Sequence, residues 1–247
     1  MNDASTAHPE PSLPPAGAPP GGGTAEAPIE VLSLPLGPLD TNCYVLFRRG
    51  FNQAVVFDPG GDPTALLALL AKHDLQVAAL ALTHGHGDHL GGVEQLLTHL
   101  HPPPPYYAPA REKDFLRRAL VNLSAWIGQS VTTRPADVWL NGGETVTLAG
   151  IPFQVHHTPG HTPGHLIYVC AGGAGRPPIV IAGDLIFRES VGRTDFPGGS
   201  FDQLAASIQK HIWPLPDAAV LYPGHGPATT VGHEKQHNPF VPLKGKG

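Results

Sequence analysis

Cysteine is almost absent from this 247-residue chain: Cys43 and Cys170 are the only two. They make neither a disulfide framework nor a C-x-x-C metal pattern, which fits a reducing cytoplasm and leaves both as small buried apolar residues. Long apolar runs are absent too. None approaches the roughly 20 residues of a membrane span, and no basic segment followed by an apolar core marks a secretory signal. Positive charge is scarce, with 15 Lys and Arg against 20 Asp and Glu and a net charge of −5. That balance excludes an electrostatic nucleic-acid binder. A cytoplasmic protein with no membrane, nucleic-acid or obligate protein partner is expected.

Glycine and proline are plentiful, at 30 and 29 residues. Much of this excess sits in residues 1–28, where Pro9-Glu10-Pro11 through Pro19-Pro20-Gly21-Gly22-Gly23 shows no hydrophobic periodicity. Such a segment cannot bury enough apolar surface to offset its ordering entropy, so a disordered tail is expected. Residues 29–247 are then one domain.

Within that domain, short apolar runs bounded by Gly, Pro and Asp predict strands at 29–34, 43–47, 54–57, 77–82, 106–108, 146–148, 153–157, 166–169, 179–182 and 219–222. Leucines at helical spacing after Pro63 predict a helix to Lys72. Further helices are expected over 91–100, 110–123 and 202–213, and the stretch 124–143 carries no readable period. Strand groups alternate with helices, while the second half runs through antiparallel hairpins. The predicted architecture is therefore α/β (α+β): a four-layer αββα sandwich of two mixed sheets.

Histidine is the residue in excess, with 15 in the chain. His84-Gly85-His86-Gly87-Asp88-His89 follows the apolar run ending at Leu82-Thr83. Imidazoles and carboxylates at this density need partners once desolvated, and a divalent cation supplies them. Three later strand-like runs also end in a Gly or Pro turn and a ligand-type side chain: His161, Asp184 and His225. Residues two apart in an extended segment share a face, so His84 and His86 are expected on one ion with His161. Asp88 and His89 are expected on a second with His225, and Asp184 bridges the two. Nitrogen and oxygen donors without thiolate suit zinc, manganese or iron. His165 is expected as a hydrogen-bonding neighbour of the ligands, and His156 and His157 as non-ligands. Trp126, Trp139 and Trp213 read as core or packing residues. Arg111, Lys113, Arg117 and Arg118 read as the solvated face of the 110–123 helix.

These motifs resemble the metallo-β-lactamase fold superfamily: Asp58-Pro59-Gly60-Gly61, the His-rich run, Thr158-Pro159-Gly160-His161-Thr162, Gly183-Asp184 and Gly224-His225-Gly226. Within it the chain is most similar to short bacterial hydroxyacylglutathione hydrolases (glyoxalase II), through Val191 to Ser200 and the ending His237-Asn238-Pro239-Phe240. The resemblance implies a metal-bridging hydroxide that attacks the thioester of S-lactoylglutathione, releasing lactate and glutathione. Asp88 would then be both ligand and orienting group. It implies two divalent ions, zinc first and iron or manganese as alternatives.

The helical extension that carries glutathione contacts in longer family members is not expected in this chain. Arg193 stands where those enzymes tend to have lysine and is expected to grip a glutathione carboxylate, whereas Asp195 cannot replace their tyrosine. The same motifs also resemble iron-dependent persulfide dioxygenases, which would place iron on His84, His161 and Asp184. A β-lactamase is not expected, given His89 and the missing export signal.

Overall fold

The computed structural model describes residues 26–242. The expected tail lies outside the described residues as far as residue 25. The first half contains β1 (Ile29–Leu36), β2 (Thr41–Arg48), β3 (Gln53–Phe57), α1 (Thr64–Lys72), β4 (Gln76–Ala81), α2 (Gly87–Leu90), α3 (Val93–His99), β5 (Tyr106–Pro109), α4 (Lys113–Arg117) and β6 (Val138–Leu140). The second half contains β7 (Thr145–Leu148), β8 (Ile151–His157), β9 (Leu166–Cys170), β10 (Ile179–Gly183), a small hairpin of β11 (Ile186–Phe187) and β12 (Ser190–Val191), α5 (Phe201–His211), β13 (Val220–Pro223), β14 (Thr229–Thr230) and α6 (Val231–His237).

Two six-stranded sheets result, in the orders β1-β2-β3-β4-β5-β6 and β14-β13-β10-β9-β8-β7. Both are mixed. In the first, β3, β4, β5 and β6 run parallel after two antiparallel pairs. In the second, the β10–β13 pair is parallel and the others are antiparallel.

Side-chain alternation explains the layering, because each central strand is apolar on both faces. Val55 and Phe57 of β3 face the core between the sheets, and Ala54 and Val56 face the core under α1 and α3. Likewise Leu166, Tyr168 and Cys170 of β9 point between the sheets, and Ile167 and Val169 point toward α5. The inter-sheet core is pinned by aromatic contacts of Phe57 with Phe153 and Tyr168, at centroid separations of 5.6 and 4.9 Å. The four-layer sandwich read from the sequence is the fold observed. Cys43 and Cys170 are both free and buried, one in each of two cores. No helix among the described residues is long and apolar enough to cross a membrane.

The 110–123 helix is much shorter than expected. A 3₁₀ turn over Ala110–Glu112 leads into α4, which stops at Arg117 because Arg118 is extended. Leu123 then takes a left-handed conformation with φ 68°. Asn122 holds this loop in place, donating to the carbonyls of Phe115 and Val131 at 2.8 and 2.9 Å.

Candidate metal centre

All seven expected ligands meet at one edge of the sandwich, on loops that leave the C-terminal ends of β4, β8, β10 and β13. His86 is the extended residue preceding α2, and Asp88 and His89 lie within that four-residue helix. Three donor groups form: His84 with His86 and His161, His84 with His89 and Asp184, and Asp88 with His89 and His225. His84 and His89 are fully buried, and His86, His161 and Asp184 nearly so.

Hydrogen bonds behind the rings fix which nitrogen faces inward. His161 Nδ1 donates to the Arg193 carbonyl at 2.7 Å, and His225 Nδ1 donates to that of Leu39 at 3.2 Å. His89 Nδ1 donates to Asp58 Oδ2 at 3.0 Å. Thr83 Oγ1 gives its own hydrogen to Asp58 Oδ2 at 2.6 Å, so it accepts from His84 Nδ1 at 3.1 Å. Four histidines therefore turn Nε2 toward the centre with a tautomer set by an outer partner, an arrangement typical of metal-ligating imidazoles.

Can the inward-facing atoms satisfy one another? His86 Nδ1 lies 3.2 Å from His84 Nε2 and 2.9 Å from His161 Nε2. It can carry one hydrogen, so at most one of these two lone pairs is satisfied. His89 Nε2 and Asp184 Oδ1, both buried, have no hydrogen-bond partner and lie 3.3 Å apart. The other Asp184 oxygen is 3.4 Å from His161 Nε2 and 3.6 Å from His225 Nε2. Around His86 the lone pairs of His84 and His161 outnumber the protons available, a shortage that a divalent cation resolves. Asp184 presents Oδ1 toward His89 and Oδ2 toward His161 and His225, so its carboxylate lies between the two sets of donors. The donor set fits two ions.

The electrostatics are uneven across the site. Burial works against a charge on His89, but Asp184, Asp88 and Asp58 outweigh it and draw His89 well above its usual range, so without metal it holds a proton that an ion would displace. Burial, reinforced by neighbouring imidazoles, pushes His84 well below its usual range and His86 down to about 3, leaving both in the neutral form that binds metal. Burial pushes Asp88 and Asp184 up, but His89 and the imidazoles around it outweigh burial and hold both carboxylates ionised.

His165 is placed behind the centre. Its Nδ1 donates to Thr158 Oγ1 at 2.9 Å, and its Nε2 accepts the Asp184 backbone N–H at 3.1 Å. It holds Asp184 in place between the donor groups. Gly224 is equally constrained, since a Cβ there would lie 2.1 Å from Asp184 Oδ1. His156 stacks on His211 at 4.8 Å and His157 bonds the Pro163 carbonyl, both away from the donor groups.

Three supporting residues were not legible as such in the sequence. Asp58, quoted there within a family motif but given no role at the site, accepts from the Thr83 backbone at 2.8 Å as well as from the Thr83 hydroxyl and His89. Thr41 donates to Asp88 Oδ2 at 2.9 Å. Asn42 donates to the Pro223 and Gly226 carbonyls at 3.0 and 2.8 Å, tying the first sheet to the loop that carries His225. Their partners are distant in sequence, so only chain folding reveals the connection.

A cavity of about 530 Å³ opens above the donors. His86, Asp88, His161, Asp184 and His225 form its floor, and Leu39, Trp126, Ile127, Phe187 and Phe196 form much of its wall. Trp126, expected to be a core or packing residue, is instead 62% exposed and lines this cleft. The early end of α4 is the reason, since the loop after it swings residues 122–127 over the site. Arg193 lies at the rim with its guanidinium 4.3 Å from the Phe196 ring. Its fork is taken by Asp195, through contacts of 2.9 and 2.8 Å. Arg111, by contrast, reaches only the Asn141 carbonyl, and Lys113 lies over Trp139.

Comparison with known proteins agrees with this geometry. The sequence model of the metallo-beta-lactamase superfamily matches residues 36–225. The chain is 35% identical over 219 residues to the hydroxyacylglutathione hydrolase GloC of Haemophilus influenzae, covering 87% of this chain and 99% of that protein. Among solved structures, the BLEG-1 B3 metallo-beta-lactamase superposes with a TM-score of 0.79 at 39% identity, over 86% of this chain and 99% of that one. TTHA1623 in a di-iron-bound form superposes with a TM-score of 0.71 at 35% identity, over 85% of this chain and all of that one.

Proposed function

The chain belongs to the metallo-β-lactamase superfamily, and from that premise we propose that it hydrolyses glutathione thioesters such as S-lactoylglutathione, using two zinc ions. The observation that carries the reading is Asp184, whose Oδ2 lies between His161 of one donor group and His225 of the other while Oδ1 faces His89, at the floor of an open cleft. The likeness to the Haemophilus hydrolase over nearly its whole length supports the substrate class. Bound to this donor set, the ions supply Lewis acidity, which acidifies water and polarises a carbonyl.

The protein's own groups do the rest. His84, His86 and His161 would hold one ion and Asp88, His89 and His225 the other, with Asp184 between the two groups. Asp88, kept ionised and steadied by Thr41, faces the cleft and orients the attacking water. The apolar wall dries the approach, which strengthens each electrostatic contact inside it. The leaving group is a thiolate. With a thiol pKa of about 8.5 it departs without a general acid, so the cleft needs none.

The test is loss of thioester absorbance when zinc-loaded protein meets S-lactoylglutathione. Turnover that a chelator abolishes and zinc restores is expected. The B3 β-lactamase relative makes nitrocefin the necessary competing substrate in that assay, and faster turnover of nitrocefin would overturn the proposal. That a similar protein binds iron leaves open a second reading, drawn from the sequence motifs: a persulfide dioxygenase with iron on His84, His161 and Asp184. Iron in the purified protein and oxygen uptake on glutathione persulfide, with no thioester hydrolysis, would establish it instead.

Arg193 permits a separate prediction. A rim-exposed ionic contact is worth up to about 1 kcal/mol, so Arg193→Ala is expected to raise KM for S-lactoylglutathione about threefold to fivefold with kcat unchanged. Steady-state kinetics at low salt reads this directly. An unchanged KM would assign Arg193 to Asp195 and Phe196 alone.

A further inference from the structure

We infer that Glu112 is a positioning residue that clamps the loop of His84 and His86 to the loop of His161 and so sets the metal affinity of this three-histidine group. The inference rests on the site being a metal centre, not on which thioester it cleaves. Glu112 has no solvent exposure and lies in the 3₁₀ turn between β5 and α4. Its Oε2 accepts the backbone N–H of Gly85, the residue between His84 and His86. Its Oε1 accepts the Thr162 hydroxyl, next to His161, and the Gly164 N–H at 2.8 Å. One oxygen thus serves each loop, and the loops leave different sheets.

The backbone is shaped for this carboxylate. A Cβ at Gly164 would lie 2.5 Å from Glu112 Cγ, and one at Gly85 would lie 3.1 Å from Oε2. Glycine at both places lets the two chains close on the same side chain. All three donors are neutral, so the carboxylate is held by hydrogen bonds alone, a costly arrangement for a buried acid. Among the described residues Glu112 belongs to none of the three donor groups. Leu166 N bonding the Thr83 carbonyl at 2.8 Å already ties the loops near the strand ends. Glu112 adds the tie beside the ligands themselves.

Glutamine has the same shape but only one acceptor oxygen, so its amide N–H₂ must face donors on one of the two loops. Glu112→Gln therefore releases one loop without emptying the space. The test measures zinc affinity by competition with a chromophoric chelator in two backgrounds. His225→Ala keeps the His84–His86–His161 group, and His86→Ala keeps the Asp88–His89–His225 group. Glu112→Gln is expected to weaken zinc about tenfold or more in the first background, the scale of outer hydrogen-bond partners, and less than about threefold in the second. Equal loss in both backgrounds, or none in the first, would overturn the inference. Should Glu112→Gln fail to fold, Thr162→Val, which removes one hydroxyl from the clamp, decides by the same comparison. Lack of thioester turnover would sink the proposed substrate while leaving this affinity comparison standing; lack of zinc binding by the unmodified protein would sink both.

Discussion

Asp184→Ala is expected to lower kcat/KM for S-lactoylglutathione by about a thousandfold or more, roughly 4 kcal/mol of transition-state stabilisation, and to leave at most one tightly bound metal per chain. The magnitude follows from the position of this carboxylate. Its oxygens lie between the donor groups, Oδ1 at 3.3 Å from His89 and Oδ2 at 3.4 and 3.6 Å from His161 and His225. Removing them takes a negative charge from between two sites that would each hold a dication. The fold should survive, because the Asp184 backbone N–H, which His165 accepts, is still present in alanine. Metal analysis after dialysis, paired with steady-state kinetics, checks the prediction. A variant that keeps two metals and full turnover would remove Asp184 from the bridging position.

Much of this was legible in the sequence, for reasons particular residues show. Runs such as Val55-Val56-Phe57 and Ile179-Val180-Ile181 are apolar without alternation because both faces of their strands are covered, so helices on the outside and a second sheet inside could be anticipated. The clustered donors were legible because His84 to His89 come directly after one such strand, and His161, Asp184 and His225 each follow another across a Gly or Pro turn. The failures have physical causes too. Leu116, Leu120 and Leu123 keep helical spacing, yet Leu116 is buried and Leu120 is 69% exposed, because the chain leaves the helix between them. Spacing alone carries no sign of the Asn122 contacts that hold the loop. β6 has three residues and exists through parallel pairing with β5, too short to show a period. α6 buries only Val231 and Glu234, so it has no apolar stripe to read.

Asp58 is the most instructive of the residues to which the sequence assigned no role, and it carries the second large prediction. Its carboxylate takes three hydrogen bonds: the Thr83 N–H, the Thr83 hydroxyl and His89 Nδ1. The first two fix the end of β4 as it enters the His-rich loop. The third sets the tautomer of His89, so that Nε2 offers its lone pair to a metal. In Asp58→Asn one oxygen becomes an amide N–H₂, a donor facing donors. If the amide turns its nitrogen toward His89, the ring must flip or change tautomer. If it turns toward Thr83, the loop loses its anchor. Either way the Asp88–His89–His225 group is impaired, and outer partners of this kind cost 10- to 100-fold, about 1.4 to 3 kcal/mol, in metal affinity or activity. Asp58→Ala is harsher. It strands three donors in a site where Asp58 and His89 are both buried, and breaking such a pair costs about 3–5 kcal/mol. Asp58→Asn should therefore fold, lose turnover by about 10- to 100-fold and recover part of it in excess zinc, because the defect is in affinity. Asp58→Ala should also unfold at lower denaturant. Titrating activity against zinc for both variants, alongside urea melts of the metal-free proteins, separates the two effects. Wild-type zinc dependence in Asp58→Asn would show that His89 keeps its orientation without this carboxylate.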